Sequence, residues 1–414
     1  MTEALRDAPR APREGGGRRR AGTPDTPNTP NPPAAPDVRG TGPDATGPAA
    51  PGTAGSATTG AADSGATGAT GPAGPGVRYP RVRRAVRGLF GPGPWKRGPL
   101  LAALALGLGL LLLLHAEVTD RGGLGSLVET FLPWLGLFVP VLLAAALWHR
   151  SATALIALLL PVTAWLSLFG GLLAGGSAPG GDLTVVSHNV NAENPDPAGT
   201  ARDLAASGAD LLALQEMTPQ ATETYRKELA AAYPHHTVRG TVGLWSRLPL
   251  SDSRAVDVLR GDAGPLAETR RAGDRPAEPP RALRVTVATD RGPLAVYVAH
   301  LGSVRLMPRN GFWTDSRDAG AVALTAAVAA EPNERVMVLG DMNGTTDDRV
   351  FDGLTARLDS AHEKAGDGFG FSWPASFPMA RIDQILARGV EPRSAWVLPA
   401  TPSDHLPVAA AFAW

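Results

Sequence analysis

The chain contains no cysteine. That excludes a disulfide framework and any thiolate metal site, and leaves the redox compartment open. An excess of one charge sign is missing too, since the formal net charge is zero over 414 residues. The balance hides an asymmetry: residues 1–180 carry about +6 and residues 181–414 about −6. The second part therefore lacks the cationic composition that binds nucleic-acid phosphates. Large apolar side chains are nearly absent from residues 1–77, a run of Pro, Gly, Ala, Thr and Ser. Such a segment cannot bury enough surface to offset chain entropy, so we read it as a disordered tail. It is too long and too polar for a secretory signal peptide.

Beyond the tail the composition changes. Residues 78–98 are basic, with Arg78, Arg81, Arg83, Arg84, Arg87, Lys96 and Arg97. Three apolar runs come next, at about 99–116, 131–148 and 152–174. Each is close to the length that crosses a bilayer, and their clustering predicts three transmembrane helices over 99–174. Trp134, Trp148 and Trp165 suit interfacial anchors. Arginines precede the first run, and His149 and Arg150 sit between the second and third. The bias of positive charge puts the N-terminus in the cytoplasm and everything after Gly175 outside it. A Gly/Ser/Pro linker, Gly175 to Gly181, then leads into residues 182–414, which are enough for a sizeable core.

In 182–414, β-branched and apolar runs predict strands at 183–186, 210–214, 242–245, 284–289, 294–299, 335–339, 382–386 and 395–398. Helices are expected at 201–207, 220–233 and 315–330, and residues 258–282 read as a long loop. Hairpins mixed with helical crossovers point to an α+β arrangement of layered sheets covered by helices.

The chemistry collects at the strand ends. Val336 to Leu339 run into Gly340-Asp341-Met342-Asn343. A spacing of two in extended chain puts Asp341 and Asn343 on one face, where a carboxylate and an amide can hold a water or a phosphate oxygen. Other strands end on Asn189, Glu216, His300, Asp383, Asp404 and His405. Each alone fits a turn residue, a cap or a surface ion pair; their joint occurrence suits metal or phosphate chemistry.

The ordered series Asn189, Leu214-Gln215-Glu216, Ser246-Arg247, His300-Leu301, Gly340-Asp341-Met342-Asn343, Arg381-Ile382-Asp383 and Ser403-Asp404-His405-Leu406-Pro407 resembles the motifs of the endonuclease/exonuclease/phosphatase (DNase I-like) superfamily. The resemblance covers essentially all of 182–414. It implies a two-sheet β-sandwich flanked by helices, four layers αββα, with the site at one edge of both sheets. It also implies roles. Glu216, helped by Asn189 and Asp404, binds Mg²⁺, with Mn²⁺ as the alternative. Asp341 positions and deprotonates the attacking water, and Asn343 donates to a phosphoryl oxygen. His405 contacts the phosphate or relays the proton, Asp383 fixes the tautomer of His405, and His300 donates to a non-bridging oxygen. Met342 stands where Phe is more usual, Ala299 where Thr is often found, and no phosphate-facing tyrosine can be placed.

Three spans before such a domain also resemble the VanJ-type membrane proteins of teicoplanin resistance, which are linked to hydrolysis of lipid-carrier pyrophosphate in cell-wall synthesis. The expectation is a membrane-anchored, extracytoplasmic, metal-dependent hydrolase of phosphate ester or phosphoanhydride bonds. Its substrate would be a membrane lipid or a lipid-linked phosphate such as undecaprenyl pyrophosphate, with no nucleic-acid partner. The alternatives are a surface nuclease, a sphingomyelinase-like phosphodiesterase, or a non-catalytic binding module on the same fold.

Overall fold

A computed structural model describes residues 98–258, 279–308 and 311–414. The expected tail (1–77), nearly all of the basic segment and most of the 258–282 loop lie outside the described residues.

The first part is helical: α1 (Pro99–Leu113), α2 (Leu124–Thr130), α3 (Phe138–Trp148), α4 (Ala152–Ala157) and α5 (Leu159–Ala174). Leu- and Ala-rich sequence loses little rotamer freedom in a helix, so propensity and apolarity agree here. Prolines set the breaks. Pro133 opens a tight 3₁₀ turn (Leu132–Leu137) between α2 and α3. Pro161 has no N–H for the carbonyl of Ala157, where α4 gives way to α5. Taken together, Ala152–Ala174 is the one described helix long and apolar enough to cross a membrane. Arg121–Thr130 and Leu132–Trp148 pass jointly but are bent by 69°, and Pro99–Leu113 is shorter. The helix over the first expected span thus ends at Leu113, and Leu132–Trp148, over the second, passes only together with the helical stretch before it. The residues between the first and second apolar runs include α2, which buries Ser126 and Glu129.

The rest of the chain contains β1 (Leu183–Asn189), α6 (Pro197–Ala206), β2 (Leu211–Gln215), α7 (Pro219–Leu229), β3 (His235–Arg239), β4 (Val242–Ser246) and β5 (Leu250–Ala255). After these come β6 (Ala282–Thr289), β7 (Gly292–His300), β8 (Arg305–Met307), β9 (Gly311–Trp313), α8 (Asp315–Ala329) and β10 (Val336–Asp341). The chain closes with α9 (Asp352–Thr355), β11 (Asp359–Ser360), α10 (Ala361–Ala365), β12 (Asp383–Arg388), β13 (Glu391–Val397) and β14 (Val408–Ala413). Two six-stranded mixed sheets form, ordered β13-β14-β1-β2-β4-β3 and β11-β12-β10-β7-β6-β5. One core fills the space between the sheets (Val185, Leu244, Val296, Leu339, Phe412). A second core packs α8 onto the outer face of one sheet, and a third packs α6 and α7 onto the other. The fold is therefore α+β, two mixed sheets between helical layers.

Several elements escape the sequence reading. Helix α6 starts at Pro197, four residues before the expected 201, because Asp196 caps it by accepting from Gly199 N at 2.8 Å. Strand β14 is mostly alanine, which has little strand propensity, yet it lies between β1 and β13. The linker is not loose: Gly176 N donates to Gly366 O (3.2 Å) and Ala178 N to Arg393 O (2.6 Å).

Candidate active site

Side chains alternate across a strand, and that alternation builds the site. On β10, Met337 and Leu339 face the core between the sheets, and Asp341 is next on that face. Val296 and Val298 lead likewise to His300 on β7, Ala387 and Ile385 back to Asp383 on β12, and Leu183 and Val185 to Asn189 on β1. Register then sets them side by side: Asp341 pairs with His300 on one neighbour and with Asp383 on the other. Gly340 permits this closure. Its φ is +148°, and a Cβ there would lie 1.8 Å from the Ala299 carbonyl oxygen. Glu216 (φ 60°) and Asn343 (φ 49°) adopt the left-handed region without being glycine. Such backbone costs about 1–3 kcal/mol per residue and persists where the surroundings enforce it.

The groups converge. Asn189 Nδ2 donates to Asp341 Oδ2 (2.9 Å) and to Glu216 Oε1 (3.1 Å). His300 Nε2 lies 3.3 Å from Glu216 Oε1 and 3.7 Å from Asp341 Oδ2. His405 Nδ1 meets Asp383 Oδ2 at 2.8 Å, which turns its Nε2 toward Asp341 Oδ2, 3.8 Å away. Asn343 donates its backbone N–H to Asp341 Oδ1 (2.8 Å) and its amide to Leu301 O (3.1 Å). Seven of the eight residues singled out in the sequence therefore meet in one cluster. Asp404 stands outside both close groups of acidic and histidine side chains and is exposed; its carbonyl accepts from Ala375 N at 2.7 Å.

Electrostatics separate the roles. Burial pushes Asp341 up to about 7, reinforced by Asp383, although the His405 cation pulls the other way. Burial also opposes charge on His405, but the carboxylates of Asp383 and Asp341 outweigh it and raise the imidazole to about 10. His300 is held well below its ordinary value by burial and then by Arg281 and His405, so it is neutral. Glu216, Asp341 and Asp383 thus gather around the His405 cation, with the Arg281 guanidinium beside His300. Glu216, His300 and Asp341 place ligand atoms within 4.8 Å of one another, as do Asp341, Asp383 and His405. Asp383 Oδ1 is buried without a hydrogen-bond partner. An oxygen-rich, net-negative cluster of this kind fits a hard divalent cation.

Supporting residues were not singled out from the sequence. The Arg281 guanidinium lies 2.7 Å from His300 Nε2. Ser372 Oγ donates to Asp383 Oδ2 (2.7 Å), and Ser403 Oγ donates to Asn189 O (2.7 Å) while accepting from His405 N (3.1 Å). Ser403 lies inside a motif and could have been inferred; Arg281 and Ser372 lie in loops with no local signal.

Residues 186–405, just over half of the chain, match the Endonuclease/Exonuclease/phosphatase family. A comparison with curated protein sequences returned no match. Solved structures of similar fold include sphingomyelinase C from Streptomyces griseocarneus, at 20% identity and a TM-score of 0.43, covering 55% of this chain and 98% of that one. The beta toxin of Staphylococcus aureus matches at 14% identity and a TM-score of 0.43, covering 55% and 99%. A mannosyl-6-phosphatase of Bacteroides thetaiotaomicron matches at 16% identity and a TM-score of 0.42, covering 56% and 100%. By its matched residues, the chain belongs to the Endonuclease/Exonuclease/phosphatase family, whose enzymes include metal-dependent phosphoesterases.

Proposed function

We propose that this chain is a membrane-anchored, extracytoplasmic phosphoesterase that uses Mg²⁺, or Mn²⁺, to hydrolyse a lipid-linked phosphate or pyrophosphate of the undecaprenyl pyrophosphate class. One observation carries the lipid part. The helices expose large apolar side chains (Leu100, Leu137, Phe138, Val141, Trp148, Leu159) while their other surface packs on loops that adjoin the catalytic cluster. Trp134 Nε1 donates to Met379 O (2.7 Å) and its ring stacks on Phe371. Ser126 and Glu129, which lie between the first and second apolar runs, touch Asp348 and Arg349 of the β-sheet domain. That contact needs both segments on one side of a membrane. The arginines before the first run favour the outer side.

Glu216 and Asn189 would hold the divalent ion, with Asp404 holding the ion or its waters. Bound there, the ion offsets phosphate charge and stabilises the leaving oxygen. The protein groups do the rest. Asp341, poised near neutrality, takes a proton from the attacking water as the new P–O bond forms. Asn343 and neutral His300 donate to phosphoryl oxygens. His405, held by Asp383 with its Nε2 free, presents a cation to the phosphate and can give a proton to the departing oxygen as the old bond breaks. Phosphoryl transfer depends mainly on such positioning and electrostatics.

The test is a phosphate-release panel of prenyl pyrophosphates, phospholipids, nucleotides and DNA, run on detergent-solubilised full-length protein with Mg²⁺. Prenyl pyrophosphate should be preferred, and Asp341→Ala should be inactive. Release from no lipid substrate, with DNA degraded by wild type and not by the variant, would replace the lipid reading with a nuclease.

A further inference from the structure

The loop that leaves the catalytic strand is held by the helical segment. After Asp341 and Asn343 the chain continues through Gly344 to Arg349, and Thr345, Asp348 and Arg349 of this loop are all engaged by residues 115–130. Glu129, fully buried, accepts from Arg349 Nε (3.0 Å) and Nη2 (2.7 Å) and from the Arg349 backbone N–H (3.2 Å). The remaining Arg349 donors reach Val118 O (2.7 Å) and His115 O (3.0 Å), carbonyls of the turn after α1. Ser126 Oγ donates to Asp348 Oδ2 (2.5 Å), and Arg317, itself buried, bridges the same Ser126 hydroxyl (3.0 Å) and Asp348 carboxylate (2.8 Å). Thr345 Oγ1 donates to the Glu129 carbonyl (3.4 Å).

A buried carboxylate is a costly way to join two segments; apolar packing would serve adhesion alone as well. What a forked, charge-assisted pair supplies instead is a fixed direction. Here that direction is imposed on a loop entered through Asn343, which has left-handed backbone and donates to the Asp341 carboxylate. Glycines mark how closely the parts fit: a Cβ on Gly125 would meet Arg349 Nη2 at 2.7 Å, and one on Gly344 would meet an Arg317 nitrogen at 3.0 Å.

We propose that Glu129 is a positioning residue for hydrolysis: with Arg349 it fixes the Gly344–Arg349 loop, and through that loop Asn343 and Asp341, so that the helical segment is a working part of the active site as well as its anchor. This rests on the hydrolytic reading above. The test uses full-length protein in detergent and compares wild type, Glu129→Gln, Arg349→Lys and the charge-exchanged pair Glu129→Arg with Arg349→Glu. Phosphate release and hydrogen-exchange mass spectrometry are read in parallel. Glu129→Gln should lower kcat about tenfold while KM moves less than about twofold, the pattern of misplaced catalytic groups. Exchange should rise over residues 341–349 and stay unchanged over β2 and β12. Arg349→Lys, which keeps charge but loses the fork, should fall between, and the exchanged pair should recover part of the loss. An unchanged kcat with unchanged exchange overturns the proposal, and so does protection lost evenly over the whole fold. If wild type hydrolyses nothing, the hydrolytic reading fails, while exchange confined to 341–349 still upholds the clamp.

Discussion

Strand β7 carries two buried polar clusters, and they are built on opposite plans. Tyr297 faces outward beneath α8, where its hydroxyl donates to Glu331 Oε2 at 2.8 Å. Arg284 on β6, paired in register with Tyr297, completes a two-pronged bond to Glu331 (2.9 and 3.0 Å), and Asn333 donates at 2.7 Å. Every oxygen of that carboxylate is satisfied. Burial resists its charge, but the bonds from Arg284, Tyr297 and Asn333 win and lower Glu331 to about 2. Three residues along, His300 faces the opposite way into the candidate site, where carboxylates crowd one another and Asp341 rises to about 7. One cluster is optimised for being folded; the other keeps unmet demand for a cation and a substrate.

The contrast can be broken at either end. Asp341→Asn should have the largest effect, lowering kcat by about 10³-fold through loss of the base. It should nevertheless leave Tm unchanged or higher, because it removes a charge that burial, and then Asp383, oppose more strongly than His405 favours it. A phosphate-release assay beside a thermal melt decides this; a lowered Tm would make Asp341 a structural residue. Next comes Glu331→Gln, which removes the buried partner of Arg284 and leaves it only the exposed carboxylate of Asp252, and should cost about 1.5–3 kcal/mol of stability. Its kcat should match wild type at temperatures where it is folded, and chemical denaturation with matched kinetics reads both.

The smallest and sharpest effect is in pH. Glu331 is depressed on folding, so the stability it contributes is present above its unfolded value and is lost as pH falls through about 2. Asp341 is raised on folding, so it does the reverse: stability declines as pH climbs from the usual carboxylate range through about 7. Melts across pH should show the acid-side loss vanish in Glu331→Gln and the neutral-side decline vanish in Asp341→Asn. The kcat/KM profile of wild type should rise toward about 7 and fall again near about 10, where His405 loses its proton. A flat profile would remove the two groups from the chemistry.

Much of the site is legible in the sequence because a strand end is a local event. The apolar run leading into Gly-Asp-x-Asn puts Asp341 at a strand end before any partner is known; the extended spacing expected to carry Asn343 onto the same face does not hold, since β10 ends at Asp341 and Asn343 has left-handed backbone. The same logic places Asn189, His300 and Asp383. It cannot place Arg281 or Ser372, which are brought to His300 and Asp383 by loops whose course depends on tertiary packing. Neighbours in sequence also part company in the fold: His405 is buried, while Asp404 is exposed. Strand β14 is hidden by composition, since alanine carries no strand signal of its own. The seating of α2 on the β-sheet domain was not legible either, because Glu129 looks like an ordinary charged residue between apolar runs until Arg349, 220 positions away, is folded against it.

The alternation along β10 also works as a counting device. Met337, Leu339 and Asp341 occupy successive stations on one face, so the position of the carboxylate is written as a number of residues and not only as an identity. Loss of a single residue anywhere from Val336 to Leu339 would turn every later side chain over and bring an apolar one to the centre. Loss of two would shorten the strand yet keep the parity. In this part of the chain, length is as informative as letters.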